Sequence, residues 1–129
     1  MAVYIDSSAF VKVVLTEPGH VEVRRYLTRA RARHVSSALL RTEAIRAVRQ
    51  AAGESLGVMR QALREVDLIA VDDSVLDAAA MLEPHGLRTL DAIHLATALT
   101  LGDDLDAIVT YDKRMSESAR LLGLPVTSP

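Results

Sequence analysis

Cysteine is absent from the 129 residues. Disulfides, iron–sulfur clusters, thiolate zinc sites and cysteine nucleophiles are thereby excluded. Tryptophan is absent too, and the aromatic set is only Tyr4, Phe10, Tyr26 and Tyr111. That is too few for a base-stacking platform of the kind that dedicated single-strand binders use. No uninterrupted apolar run approaches the ~20 residues that span a bilayer. Asp6 breaks the N-terminus before a secretory core could form. The expectation is a cytoplasmic protein without a membrane partner. A P-loop, a G-x-G-x-x-G fingerprint and a G-x-S-x-G elbow are all missing, which removes the common nucleotide-binding and serine-hydrolase readings.

What is present suits one domain. Half of the residues are hydrophobic, enough for a proper core without staples. The net charge of −2 hides an asymmetry: residues 1–64 carry 11 Lys/Arg against 5 Asp/Glu, and residues 65–129 carry 4 against 12. The basic excess is nearly all arginine, whose planar fork suits bidentate phosphate contacts, although a solvated helix face explains it equally well.

Short β-branched runs alternate with longer helical patterns. Strands are expected at 2–6, 33–37, 68–71, 107–112 and 125–128. Helices are expected at 7–15, 20–30, 38–52, 56–66, 74–83, 89–101 and 114–123. Ser74 is the expected N-cap of the fifth helix. The alternation predicts an α/β fold with a central, mainly parallel sheet flanked by helices on both faces. Apolar runs such as "LIAV" and "AIV" predict strands buried on both sides.

Ligand sites in such sheets lie at the carboxyl ends of the strands. Asp6 ends the first strand, in "AVYIDSSAF", where it is expected at the open mouth of the sheet and not in the core. Asp112 ends "AIVTYD". Asp91 sits in the first turn of "TLDAIHLATA", and Glu43 lies on an inward-turned face of "LLRTEAIRAV". Any one of these could be a helix cap or turn residue. Convergence of all four is another matter, because two unit charges about 4 Å apart repel by roughly 4 kcal/mol at an effective dielectric near 20. Either some stay protonated or a cation sits among them, and oxygen-only ligands suit Mg²⁺ or Mn²⁺.

The segments "YIDSSAFVK", "TEAIRAV", "LRTLDAIHLATA" and "IVTYDKRM" resemble the four acidic motifs of the PIN-domain ribonucleases, most closely the VapC toxins of toxin–antitoxin pairs. The resemblance spans the whole chain, as a single PIN domain over 1–129, and D-A-I-H-L-A-T-A is its most specific motif. It implies a Mg²⁺-dependent endoribonuclease that leaves 5′-phosphate and 3′-hydroxyl ends and inhibits translation and growth. By the same resemblance Asp6 and Asp91 match the central metal-binding acids, and Glu43 and Asp112 complete the metal and catalytic set. Ser7, Ser8 and Thr110 match polar positions that orient the acids. RNA, a cognate antitoxin and self-association, as homodimer or toxin–antitoxin hetero-oligomer, are the implied partners. Arg46, Lys113 and Arg114 lie beside the acids and are candidates for RNA phosphates.

Other residues carry less. His94 shares a helix face with Asp91 and is read as a satisfied structural histidine. Asp72 and Asp73 with Lys113 faintly resemble a receiver domain, but such an acid pair would follow the first strand. Val11, Val14, Leu15, Tyr26 and Leu27 are core residues or one wall of a groove for an amphipathic antitoxin segment. Two alternatives to the toxin stand: a PIN-like scaffold that binds RNA or protein without cutting, and a maturation or decay nuclease without an antitoxin.

Overall fold

A computed structural model describes residues 1–129. Five strands are present: β1 (Ala2–Ile5), β2 (Arg33–Ser37), β3 (Asp67–Ile69), β4 (Leu105–Val109) and β5 (Val126–Thr127). They form one wholly parallel sheet in the order β3-β2-β1-β4-β5. Seven α-helices surround it: α1 (Ser7–Val14), α2 (His20–Arg29), α3 (Leu39–Ala51), α4 (Leu56–Arg64), α5 (Asp73–Ala80), α6 (Thr89–Leu99) and α7 (Lys113–Leu121). No helix is long and apolar enough to cross a membrane.

The central strand shows why both faces are covered. Side chains alternate across a strand. Val3 and Ile5 of β1 enter a core with Phe10, Val23, Leu40, Ala44, Val48, Met59 and Leu63, contributed by α1 to α4. Ala2 and Tyr4 enter the opposite core with Leu95, Ala98, Met115 and Ala119, from α6 and α7. A third cluster joins α5 to α6 through Val75, Ala79, Ala92, Ile93 and Ala96. Residues 92–98 of α6 are consequently all buried, as expected of a helix that is apolar on every side.

Aspartates start three of the helices. Asp6 accepts from Ala9 N at 3.0 Å, Asp72 from Val75 N at 2.9 Å, and Asp112 from Arg114 N and Met115 N at 2.9 and 3.1 Å. Each satisfies orphan N–H donors of a first turn. Asp72, not Ser74, therefore caps α5. Both residue types cap well, and the chain leaves β3 early enough for the first of them to do so.

Two further expectations need correction. "LIAV" is not a strand buried on both sides: β3 is an edge strand, and its residues are exposed or half-buried. Strand order, which the local pattern does not encode, decides this. The strand expected at 107–112 begins at Leu105 and ends at Val109, because Asp112 is already the cap of α7. Gly19 is the one glycine whose conformation opens a helix, at φ 93° before α2, and a Cβ there would stand 3.4 Å from the Tyr111 ring.

Candidate active site

From β1 the chain builds outwards through β2 to β3, then returns to place β4 on the other side of β1. The crevice at the carboxyl ends of β1 and β4 is the switch point at which such sheets bind ligands. Asp6 directly follows β1. Thr110, Tyr111 and Asp112 directly follow β4, and Asp6 N donates to Val109 O across the two strand ends at 3.2 Å.

Asp6 stands where its strand stops, but it is only 3% exposed. The expectation of an open position at the sheet's mouth is thus half corrected. The carboxylate survives burial because donors surround it. Ser8 Oγ donates to Oδ1 at 2.7 Å and Thr110 Oγ1 to Oδ2 at 2.5 Å, besides the capping N–H of Ala9. Ser8 Oγ in turn accepts from Tyr111 N at 2.9 Å, and Thr110 Oγ1 from Asp112 N at 3.1 Å. Two hydroxyls thus tie the end of β1 to the turn after β4. Burial still pushes the Asp6 pKa above the usual carboxylate range, against the pull of these hydrogen bonds.

Glu43 reaches the crevice from α3. Ser7 Oγ donates to its Oε2 at 3.4 Å, and His94 Nε2 lies 2.6 Å from its Oε1. His94 is 2% exposed, and its Nδ1 lies 2.7 Å from the Tyr4 hydroxyl. Burial raises the Tyr4 pKa far above its ordinary value, so the phenol keeps its proton and hydrogen-bonds His94 Nδ1 as a neutral hydroxyl. Nε2 donates to Glu43 Oε1, because a carboxylate offers only acceptors. His94 is satisfied, as the sequence predicts, and it also fixes one oxygen of a candidate catalytic acid.

Asp91 extends from the first turn of α6. Arg88, one residue before that helix, places Nε 3.4 Å from Asp91 Oδ2 and Nη2 3.1 Å from Asp112 Oδ2. The first contact is an ion pair without hydrogen-bond alignment, so Asp91 Oδ2 is buried with no donor. Burial and the neighbouring Asp112 charge raise the Asp91 pKa, and Arg88 and His94 oppose them.

One network therefore joins Asp6, through Thr110, to Asp112, and Asp112, through Arg88, to Asp91. Glu43 borders it through Ser7 and His94. No three acids or histidines close on a single point. The donor set nevertheless fits a hard divalent cation: the groups are carboxylates and hydroxyls, and a buried carboxylate oxygen lacks any hydrogen-bond partner. Mg²⁺ keeps several waters and is commonly held by one or two carboxylates, so it needs no closed protein cage.

Arg46, Lys113 and Arg114 are exposed. Lys113 and Arg114 lie in the first turn of α7 beside Asp112, and none of the three pairs with an acid. Arg88 is a site residue that the sequence reading does not single out. Its spacing of three from Asp91 is a usable signal, but its bond to Asp112 joins positions 24 apart and has no local signature.

The PIN domain family model matches residues 3–121. The chain is 50% identical to Ribonuclease VapC46 of Mycobacterium tuberculosis over 128 residues, covering 99% of this chain and 98% of the relative. It is 38% identical to Ribonuclease VapC35 of the same species, covering 98% and 96%. Among solved structures, M. tuberculosis VapC20, a sarcin–ricin-loop-cleaving toxin, matches with a TM-score of 0.75 at 14% identity, covering 90% of this chain and 94% of that one. A toxin–antitoxin complex from Klebsiella pneumoniae matches with a TM-score of 0.74 at 19% identity, covering 98% and 97%.

Proposed function

The chain belongs to the PIN-domain family, among its VapC ribonucleases, and from that premise we propose that it is a divalent-metal-dependent endoribonuclease, the toxin of a toxin–antitoxin pair. The observation that carries the reading is one network of hydrogen bonds and ion pairs that joins Asp6, Asp112 and Asp91 at the β1/β4 switch point, with Glu43 held at its border by Ser7 and His94. The names of the relatives support RNA as substrate, and the Klebsiella complex supports an antitoxin as partner.

Asp6 and Asp91 would hold Mg²⁺ or Mn²⁺, with Asp112 and Glu43 completing the site. Such an ion offsets charge on a phosphate oxygen and makes water acidic enough to attack phosphorus. The rest of the work falls to the chain. Ser8, Thr110 and the Ala9 amide lock the Asp6 carboxylate in one orientation. The Tyr4–His94 pair pins Glu43 Oε1 and leaves Oε2, held only by the long Ser7 hydrogen bond, to orient a water or take its proton. Arg88 offsets Asp91 and Asp112, and Lys113 and Arg114 meet phosphates at the rim.

The test is incubation of the purified chain with total bacterial RNA and Mg²⁺ or Mn²⁺, followed by sequencing of the new ends. New 5′-phosphate ends are expected with the wild type, and none with Asp6→Asn or Asp91→Asn. Cutting by Asp91→Asn at the wild-type rate would sink the metal assignment. A wild type that cuts nothing would sink the ribonuclease reading. Expression in bacteria should stop growth only when all four acids are intact.

A further inference from the structure

A second concave surface lies on the far side of α3 from Glu43. Arg41 and Ile45 of α3, Arg60, Leu63 and Arg64 of α4, and Val66, Asp67 and Leu68 at β3 line a groove of about 660 Å³. The sheet ends here, because β3 is its outer strand. The three arginines are exposed, and none has a carboxylate within ion-pair distance. The one acid in the groove, Asp67, is turned to Arg33, whose Nη1 lies 3.3 Å away. Arg64 spends one donor on Gln61 Oε1 at 2.7 Å and keeps the others.

We propose that this groove is a phosphate-binding track for the RNA substrate, separate from the acidic crevice. The proposal rests on the ribonuclease reading and extends it. Three observations favour nucleic acid over a protein segment. The uncompensated charge is carried by arginines alone, and their forks match phosphate oxygens bidentately. Arg60 and Arg64 stand one helical turn apart, about 5–6 Å, and present a row of donors and not a lone charge. The groove also contains no aromatic or methionine side chain to go with its arginines, the combination that protein interfaces favour. Arg41 lies two residues from Glu43 on α3 and so on the opposite face of that helix, which turns it into the groove and away from the crevice. The arginine excess of residues 1–64 thereby gains a partner.

The probe is a fluorescein-labelled single-stranded oligouridylate, titrated by anisotropy over a salt series. The full-length chain carries Asp6→Asn in every sample so that the probe stays intact. Replacing Arg41, Arg60 and Arg64 together by Gln should raise Kd about tenfold or more. It should also flatten the plot of log affinity against log salt by about 2, at about 0.7 for each phosphate no longer neutralised. The melting temperature should not change, because all three side chains are exposed. The double variant Arg60→Lys, Arg64→Lys should retain most of the salt dependence at reduced affinity, which a mere folding defect would not produce. Unchanged Kd and slope in the Gln variant would overturn the proposal. So would loss of poly-glutamate binding with oligouridylate binding intact, since the groove would then serve an acidic protein segment. Failure of the ribonuclease reading looks different: a wild type that cuts no RNA, with oligouridylate still bound through the arginines, leaves the groove supported as an RNA site.

Discussion

Asp6→Asn should yield a protein that is more stable than the wild type and inactive, with the order of stability inverted by metal. The substitution is nearly isosteric. Oδ1 keeps its donors, Ala9 N at 3.0 Å and Ser8 Oγ at 2.7 Å. The new amide nitrogen faces Thr110 Oγ1, which must accept instead of donate. Thr110 can then turn its proton to Ser8 Oγ, 3.3 Å away. The cost is the charge-assisted part of these bonds, and the gain is removal of a buried charge from a site that is 3% exposed. The raised pKa says that burial outweighs the hydrogen bonds. Without metal the variant should therefore gain on the order of 1 kcal/mol, the scale of single stabilising substitutions. That corresponds to about 2–8 °C in Tm for domains near this size. With Mg²⁺ at about 100 times its Kd, the wild type gains about 2.7 kcal/mol that the variant does not. Thermal unfolding in chelator and then in Mg²⁺ should show the two curves exchange order. A lower Tm for Asp6→Asn in chelator, or equal stabilisation of both by Mg²⁺, would refute the reasoning.

The pH dependence has a definite sign. Asp6 and Asp91 have pKa values raised in the folded state, so their protonated forms stabilise the fold below the ordinary value of 3.8, and this is lost as pH rises through the raised values. Metal-free Tm should therefore rise on mild acidification from neutrality while cleavage falls. Asp104, lowered by the N-terminal amine and Arg33, acts oppositely but is fully exposed and screened. His94→Ala leaves the Tyr4 hydroxyl buried without its partner at a cost of about 1–3 kcal/mol. It also frees Glu43, so Tm and cleavage rate should both drop, whereas Tyr4→Phe should lower Tm more than cleavage. Arg88→Ala should lower the metal-free Tm and enlarge the Mg²⁺-induced shift in calorimetry, because a resident cation no longer competes at Asp91 and Asp112; an unchanged shift would count against that role.

The elements are legible in the sequence because β-branched runs and helical periods alternate cleanly from β1 to β5, and because each covers a short span. Asp6, Asp112 and Asp91 are legible as strand-end and first-turn positions, and Glu43 as an acid on an inward-turned helix face. What joins them is not. The Asp6–Thr110 bond links residues 104 apart and His94–Glu43 links residues 51 apart, so no window along the chain contains either pair. The burial of Asp6 follows from the first of these, which is why an exposed position is the natural expectation. Arg88 escapes notice for the same reason, and the edge status of β3 depends on the strand order.

The pairing of β1 with β4 also has a consequence for when the crevice forms. Residues 2–5 leave the ribosome well before residues 105–109, with which they pair. A nascent chain that already carries Asp6, Glu43 and Asp91 has no crevice, because the wall that supplies Thr110 and Asp112 has not been made. Chains stopped before residue 105 should be harmless to the cell that makes them, with three of the four acids in place. Ribosome-bound chains should gain cleavage only once β4 has docked. Topology thus sets an order of events: the crevice closes only after β4 has followed β1, β2 and β3 out of the ribosome.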